Sequence, residues 1–194
     1  MTDVITPHLR QGLNRRQAET VEKLLAAGEA ELEESGPEAL TIRTVAHRAG
    51  VSPATAYTYL ASKNHLFAEL FWRRIVHDAP PPPTGRNAVE RLQSVTGHFA
   101  RMLGRSPHLA TAANIALLGT DPEVERLRLV IGAEFISRFA GAIGEDADPK
   151  VLDALTFAFS GALLQAGMGL MTYDELAGRL DDVVATIMKG HADD

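Results

Sequence analysis

The stretch at 41–63, TIRTVAHRAGVSPATAYTYLASK, constrains the fold more than any other part of the chain. Two short apolar-patterned segments, 42–49 and 53–60, are hinged at Gly50. That arrangement predicts two helices at a steep angle joined by a tight turn, a helix-turn-helix, with glycine supplying the backbone freedom the turn needs. Val45 and Ala49 lie four apart and Ala56 and Tyr59 three apart, so each pair shares one helical face. Ala46 is small where the second helix has to cross, and Val51 can drop into the angle between the two. Ser52 then Pro53 is a favoured helix start: a side-chain cap, followed by a residue whose missing N–H costs nothing at the first position.

The remaining positions point outward and suit a duplex. Ser52, Ala54, Thr55 and Thr58 form a small-residue face able to enter a major groove without clashing. Ser52, Pro53, Ala54, Thr55 and Tyr57 are the residues expected to line the groove. Thr41, Arg43, Tyr59 and Lys63 offer hydroxyls and cations suited to phosphate. For Tyr59 a second reading stays open, that it packs the small core of the motif.

Thr41-Ile42-Arg43, Val45-Ala46, Ala49-Gly50-Val51-Ser52, Thr55, Tyr57-Thr58-Tyr59-Leu60 and Ser62-Lys63 resemble the N-terminal DNA-binding signature of the TetR family of bacterial transcriptional regulators. The likeness extends from Arg16 to Ile75. One departure is Leu60, where the family often has phenylalanine, a volume-conserving apolar change. The resemblance implies an all-α chain: an N-terminal three-helix helix-turn-helix DNA-binding domain and a C-terminal helical domain for ligand binding and dimerisation. It further implies a homodimer formed through the last two helices as a four-helix bundle, and a double-stranded, palindromic DNA operator as partner.

Composition agrees and removes alternatives. Aromatic residues are only 6% of the chain, while alanine and leucine abound, which favours helices over sheets. There is no cysteine, hence no disulfide framework, thiolate nucleophile or cysteine-based zinc site. The N-terminus has no apolar core of a signal peptide and no run is long and apolar enough to span a membrane, so a cytoplasmic protein is expected. A net charge of −6 sits oddly with DNA until the chain is divided. Between 41 and 74 the bases Arg43, Arg48, Lys63, Arg73 and Arg74 face the single acid Glu69. The first helix, with Glu19, Glu22, Glu29, Glu31, Glu33 and Glu34, is acidic and expected to face away from DNA. A basic head on an acidic body limits non-specific binding and keeps phosphate contacts.

Domain limits follow from pattern. Residues 1–13 lack periodicity and read as a disordered arm, the alternative being an arm that trails along DNA. The DNA-binding domain is expected at 14–78. Its first helix carries an apolar stripe through Val21, Leu24, Leu25 and Leu32 and stops at Ser35-Gly36-Pro37. A fourth helix, capped by Ser62, links the head to the body. The prolines within 79–86 mark a stiff linker rather than a ligand for a proline-recognition domain. Residues 87–194 read as further helices, about nine in all for the chain. The eighth, about 150–171, is almost free of charge and apolar all round, so it is expected to be buried on several sides.

No H-E-x-x-H, G-x-S-x-G, P-loop or G-x-G-x-x-G in strand–helix context is present, the histidines are dispersed, and neither enzyme, cofactor nor metal site is expected. Small residues on the eighth helix (Ala158, Gly161, Ala162, Ala166) with the apolar face of the ninth imply a subunit interface. Phe99, Met102, Leu117, Phe135, Phe139, Phe157 and Met168, with polar Asn114 and Gln165, are candidates to line a cavity for a small apolar ligand, the alternative being plain core. The function expected is a repressor released from its operator by that ligand. An activator, or a regulator controlled by a protein partner, is the alternative.

Overall fold

The computed structural model describes residues 14–78, 82–145 and 147–192. The arm expected at 1–13 and the first prolines of the linker lie outside them. Among the described residues the chain is all-α: α1 Arg15–Ala39, α2 Ile42–Arg48, α3 Pro53–Tyr59, α4 Lys63–His77, α5 Ala88–Gly104, α6 Pro107–Leu118, α7 Pro122–Ile143, α8 Pro149–Gly167 and α9 Tyr173–Ala192. None of these helices is long and apolar enough to cross a membrane. Contacts divide the chain into two units, the described residues of Met1–Ala79 with Ser106–Leu129, and those of Pro80–Arg105 with Val130–Asp194. Helix α6 and the start of α7 therefore group with the N-terminal helices, although they follow α5 in sequence.

In the first unit, α1 opens with a reciprocal cap. The Asn14 side chain accepts the Gln17 N–H at 3.0 Å, and the Gln17 side chain accepts the Asn14 N–H at 2.9 Å. The apolar stripe is buried as expected, Val21, Leu24, Leu25 and Leu32 each at most 1% exposed. Gly28 lets α4 cross closely, since a Cβ there would meet Leu66 Cδ1 at 2.9 Å. The stop expected at 35–37 is a kink: Gly36 takes φ 74°, and one more turn runs to Ala39. Part of the acidic side of α1 meets α4. Glu22 and Glu29 accept from Arg73 and Arg74 of α4 at 2.8 and 2.6 Å, so part of that charge fastens α4 to α1. Helix α6 packs against α4 and α1.

In the second unit, α9 packs against α5 and α8. Phe99 of α5, Phe135 and Phe139 of α7 and Phe159 of α8 form a ring cluster with centroids 4.7–5.8 Å apart. Arg138 lies over Phe99 at 5.0 Å while its Nε donates to Glu134 at 2.7 Å. Two sequence expectations need correction here. Helix α8 ends at Gly167, with Gly169 at φ 74° reversing the chain, so Met168 is not helical as expected. The helix is also buried mainly through Val151, Leu155, Phe159 and Ala166, while Phe157 is 76% exposed. An even apolar composition cannot show which face stays uncovered in one copy of the chain.

Thr172 caps α9 by accepting the Glu175 N–H at 3.2 Å, and that side chain accepts the Thr172 N–H at 2.8 Å. Those bonds hold the Glu175 carboxyl below the usual carboxylate range. Asp181 is the opposite case: burial first, then neighbouring Asp182, pushes its carboxyl up, against the pull of Arg101. A raised folded-state value favours folding only when the group is protonated, below its unfolded value near about 4, and that benefit disappears as pH rises through the folded value. Asp181→Asn is therefore expected to raise the melting temperature at pH 7 by roughly a degree or two and to make no difference near pH 3. Thermal melts of both proteins at the two pH values check this.

Candidate nucleic-acid interface

The reading element is built from two short helices that are each capped at the start. Thr41 accepts the Thr44 N–H at 3.1 Å and the Thr44 hydroxyl lies 3.1 Å from the Thr41 N–H, which fixes the entry to α2. Ser52 accepts the Thr55 N–H at 3.1 Å, and Pro53 occupies the first position of α3. Between them Gly50 takes φ 68°, in the left-handed region that side chains resist, and the Val51 N–H closes the turn on the Ala46 carbonyl at 3.0 Å. Val45, Ala46 and Ala56 are fully buried where α2 and α3 meet, and Leu60 is 1% exposed. Helices this short do not persist alone. They are held by each other and by α1.

The predicted DNA-facing residues fall into two groups. Thr41, Arg43, Ser52, Pro53, Ala54 and Tyr57 are exposed, Tyr57 at 51%. Thr55 and Tyr59 are half-buried. Thr58 is exposed, while its hydroxyl donates to the Ala54 carbonyl at 3.0 Å. The sequence reading passed over Thr44 and His47. Both are exposed on α2 and share an open groove of about 470 Å³ with Glu31, Arg43 and Arg48. The spacing from Arg43 could have shown His47 on the same helix face.

The charges are distributed differently from their linear tally. Arg48 donates to Glu34 and, at 2.8 Å, to Glu31, and these hydrogen bonds, Glu34 first, raise its guanidinium above the ordinary value. With Arg73 and Arg74 also held by α1, Arg43 is the arginine of the element left exposed and outside any ion pair among the described residues. Lys63 is half-buried and donates to the Pro37 and Glu38 carbonyls at 3.1 and 3.4 Å, with the Phe67 ring centroid at 5.8 Å. It ties the start of α4 to the end of α1. Lys63→Met is accordingly expected to lower stability by about 1–2 kcal/mol, as the loss of charge-assisted hydrogen bonds to backbone carbonyls requires. It should leave the salt dependence of DNA binding unchanged; a shallower slope would assign the ammonium to a phosphate instead.

The candidate ligand residues belong to both units. Phe99, Met102, Phe135 and Phe139 are buried in the second unit, whereas Asn114 and Leu117 are half-buried in the first. Phe157, Gln165 and Met168 are exposed, Met168 at 57%, so they do not point inward as expected. Instead Phe157 and Gln165 border an open groove of about 470 Å³ with Ala158, Gly161, Ala162 and Val183 of α8 and α9. Among the described residues no cluster of metal-binding side chains occurs.

Known proteins share these features. Residues 24–70 match the family described as bacterial regulatory proteins, tetR family. An uncharacterized HTH-type transcriptional regulator of Mycobacterium tuberculosis is 45% identical over 186 residues, covering 91% of this chain and 84% of that protein. The HTH-type transcriptional repressor KstR of Rhodococcus jostii is 34% identical over 107 residues, 54% of this chain and 50% of the other. Among solved structures, a TetR transcriptional regulator from Rhodococcus sp. RHA1 superposes with a TM-score of 0.73 at 19% identity, covering 90% of this chain and 98% of that one. Two capped helices around a left-handed glycine, the family match over 24–70 and a regulator 45% identical over most of both chains make the chain a helix-turn-helix transcriptional regulator of the TetR family.

Proposed function

We propose that this regulator is a homodimeric repressor that works in the cytoplasm and binds a palindromic operator with α3 of each copy in the major groove. The observation that carries the reading is the outward face of α3. Its residues Ser52, Ala54 and Thr58 are small and exposed, flanked by Tyr57 and by Arg43 on α2, so the helix can approach base edges while the flanks meet phosphate. Repression is the sign that the similarity to a KstR repressor favours. One α3 spans only a few base pairs, and two related by a dyad read two half-sites.

The dimer face we assign is the α8–α9 groove. Phe157 and Val183 are 76 and 37% exposed there, and Met168 and Leu170 of the turn between α8 and α9 are 57 and 68% exposed, an apolar surface that a monomer has no reason to leave in water. A Cβ added at Gly161 would meet nothing within 4 Å, so the floor of the groove is open to another helix. A small apolar ligand that loosens DNA binding is assigned to the C-terminal helical domain near Phe99, Met102, Phe135 and Phe139. Release requires the ligand to prefer a state that DNA does not.

Selection of bound sequences from random duplex DNA, then titration of the best one at two salt concentrations, tests the reading. A two-fold-symmetric motif, two protomers per site and a steep loss of affinity with salt are expected. An asymmetric motif bound by single protomers would sink the dimeric mechanism, and no enriched motif would sink operator reading altogether.

A further inference from the structure

Helix α4 carries a buried polar face that DNA reading does not use. His65, Glu69 and Trp72 recur at spacings of four and three, so they stack along one side of the helix. Glu69 is 0% exposed, Trp72 6%, and the His65 side chain 12%. Neither carboxyl oxygen of Glu69, nor Trp72 Nε1, has a hydrogen-bond partner among the described residues. The nearest group able to carry positive charge is His65 Nε2, 3.6 Å from Glu69 Oε1 and too far for a hydrogen bond. Arg73 and Arg74 of the same helix are committed to Glu22 and Glu29. An ionised carboxyl group taken out of water costs several kcal/mol unless a cation or donors compensate it. A helix that needed only packing at this position would carry leucine.

We propose that this face of α4 is a binding site for a small organic cation, an ammonium or amidinium group on an aromatic or apolar body. Its N–H groups donate to the two Glu69 oxygens, its charge offsets that of the carboxylate, and the Trp72 indole supplies an aromatic surface. A carboxylate or phosphate ligand is rejected by the same charge.

The site also has a path to the reading head. His65 Nδ1 accepts the N–H of Ala61 at 3.3 Å, in the turn joining α3 to α4. A neutral His65 therefore carries its proton on Nε2, toward Glu69. A cation that takes Glu69 lies against the Nε2 side of His65, whose Nδ1 helps to hold the backbone directly behind α3. This coupling rests on the ligand-released regulator proposed above; the binding step does not.

Trp72 is the single tryptophan of the chain, so intrinsic fluorescence reports this site alone. The full chain is titrated with benzylamine, and with benzyl alcohol and benzoate as neutral and anionic counterparts of similar size. A saturable emission change is expected with benzylamine, roughly tenfold weaker binding for benzyl alcohol, and no response to benzoate. The isosteric Glu69→Gln is expected to weaken benzylamine roughly tenfold as well. Benzoate responding like benzylamine, no saturation below roughly 10 mM, or unchanged affinity in Glu69→Gln would each overturn the site. Should circular dichroism show that the variant does not fold, the three-probe comparison on the unaltered protein decides. Operator binding is read separately by gel shift. Its absence would sink the regulator reading and leave the cation titration standing; operator binding intact without a benzylamine response would sink the cation site alone.

Discussion

Phe157→Glu is expected to turn the protein from a dimer into a monomer at micromolar concentration and to weaken operator binding by roughly a hundredfold or more. Phe157 stands 76% exposed beside Ala158, Gly161 and Ala162 in a groove that Arg179 and Asp182 of α9 also line, so in a dimer through this groove its ring loses most of that contact with water. Burying such a side chain contributes about 1.5–3 kcal/mol per copy, and a glutamate in its place adds a desolvated charge on each side of the dyad. The effect on DNA follows from linkage. Once one α3 of a dimer is seated, the second half-site meets its reader at an effective concentration of about a millimolar, and a monomer forfeits that term. Sedimentation velocity gives the assembly state, and gel shifts with intact and single half-sites give the affinities. A variant that stays dimeric and holds the operator normally places the interface elsewhere. Because Phe157 lies outside the reading element, a monomer should still melt cooperatively.

Ala46→Leu should abolish operator binding through a different route. Ala46 is fully buried where α2 and α3 meet, and its carbonyl accepts the Val51 N–H that closes the turn. Three extra carbons at that point force the helices apart or the side chain off its rotamer, at a cost of about 1–3 kcal/mol. Helices α2 and α3 have seven residues each, too few to keep their geometry once their shared contact is lost. The strain is confined to the first unit, so α8 and α9 should still pair. The expected result is a dimer by sedimentation, reduced helicity, a lower melting temperature and no specific gel shift. Retained affinity would mean that the crossing of α2 and α3 has room the structure does not show. Ala46→Ser, nearly the same volume, is the control for packing as against chemistry.

The reading element was legible from its residues because its determinants are local. Ser52 caps α3 three residues away, Thr41 caps α2 over the same distance, and Gly50 answers a backbone requirement of its own position. None of these needs a neighbour from elsewhere in the chain. The stripe of α1 was legible for the same reason, since 3.6-residue periodicity puts Val21, Leu24, Leu25 and Leu32 on one side whatever they pack against. The candidate ligand set was not. Hydrophobicity marks Phe157 and Phe159 alike, yet one is 76% and the other 2% exposed, and nothing local distinguishes them.

What the sequence by itself determined is the sort of element present and where each begins: the helical class, the caps, the turn glycine and the family signature. Only the tertiary structure decided which charges remain available. Lys63 is spent on carbonyls 25 and 26 residues away and Arg48 on Glu31 and Glu34, while Arg43 is left to solvent. It also decided that Glu69, an unremarkable acid in the linear pattern, is the buried one. The physical reason is range. Caps and periodicity act over one helical turn, but pairing and burial depend on which distant surfaces meet, and one chain's residue order does not state that.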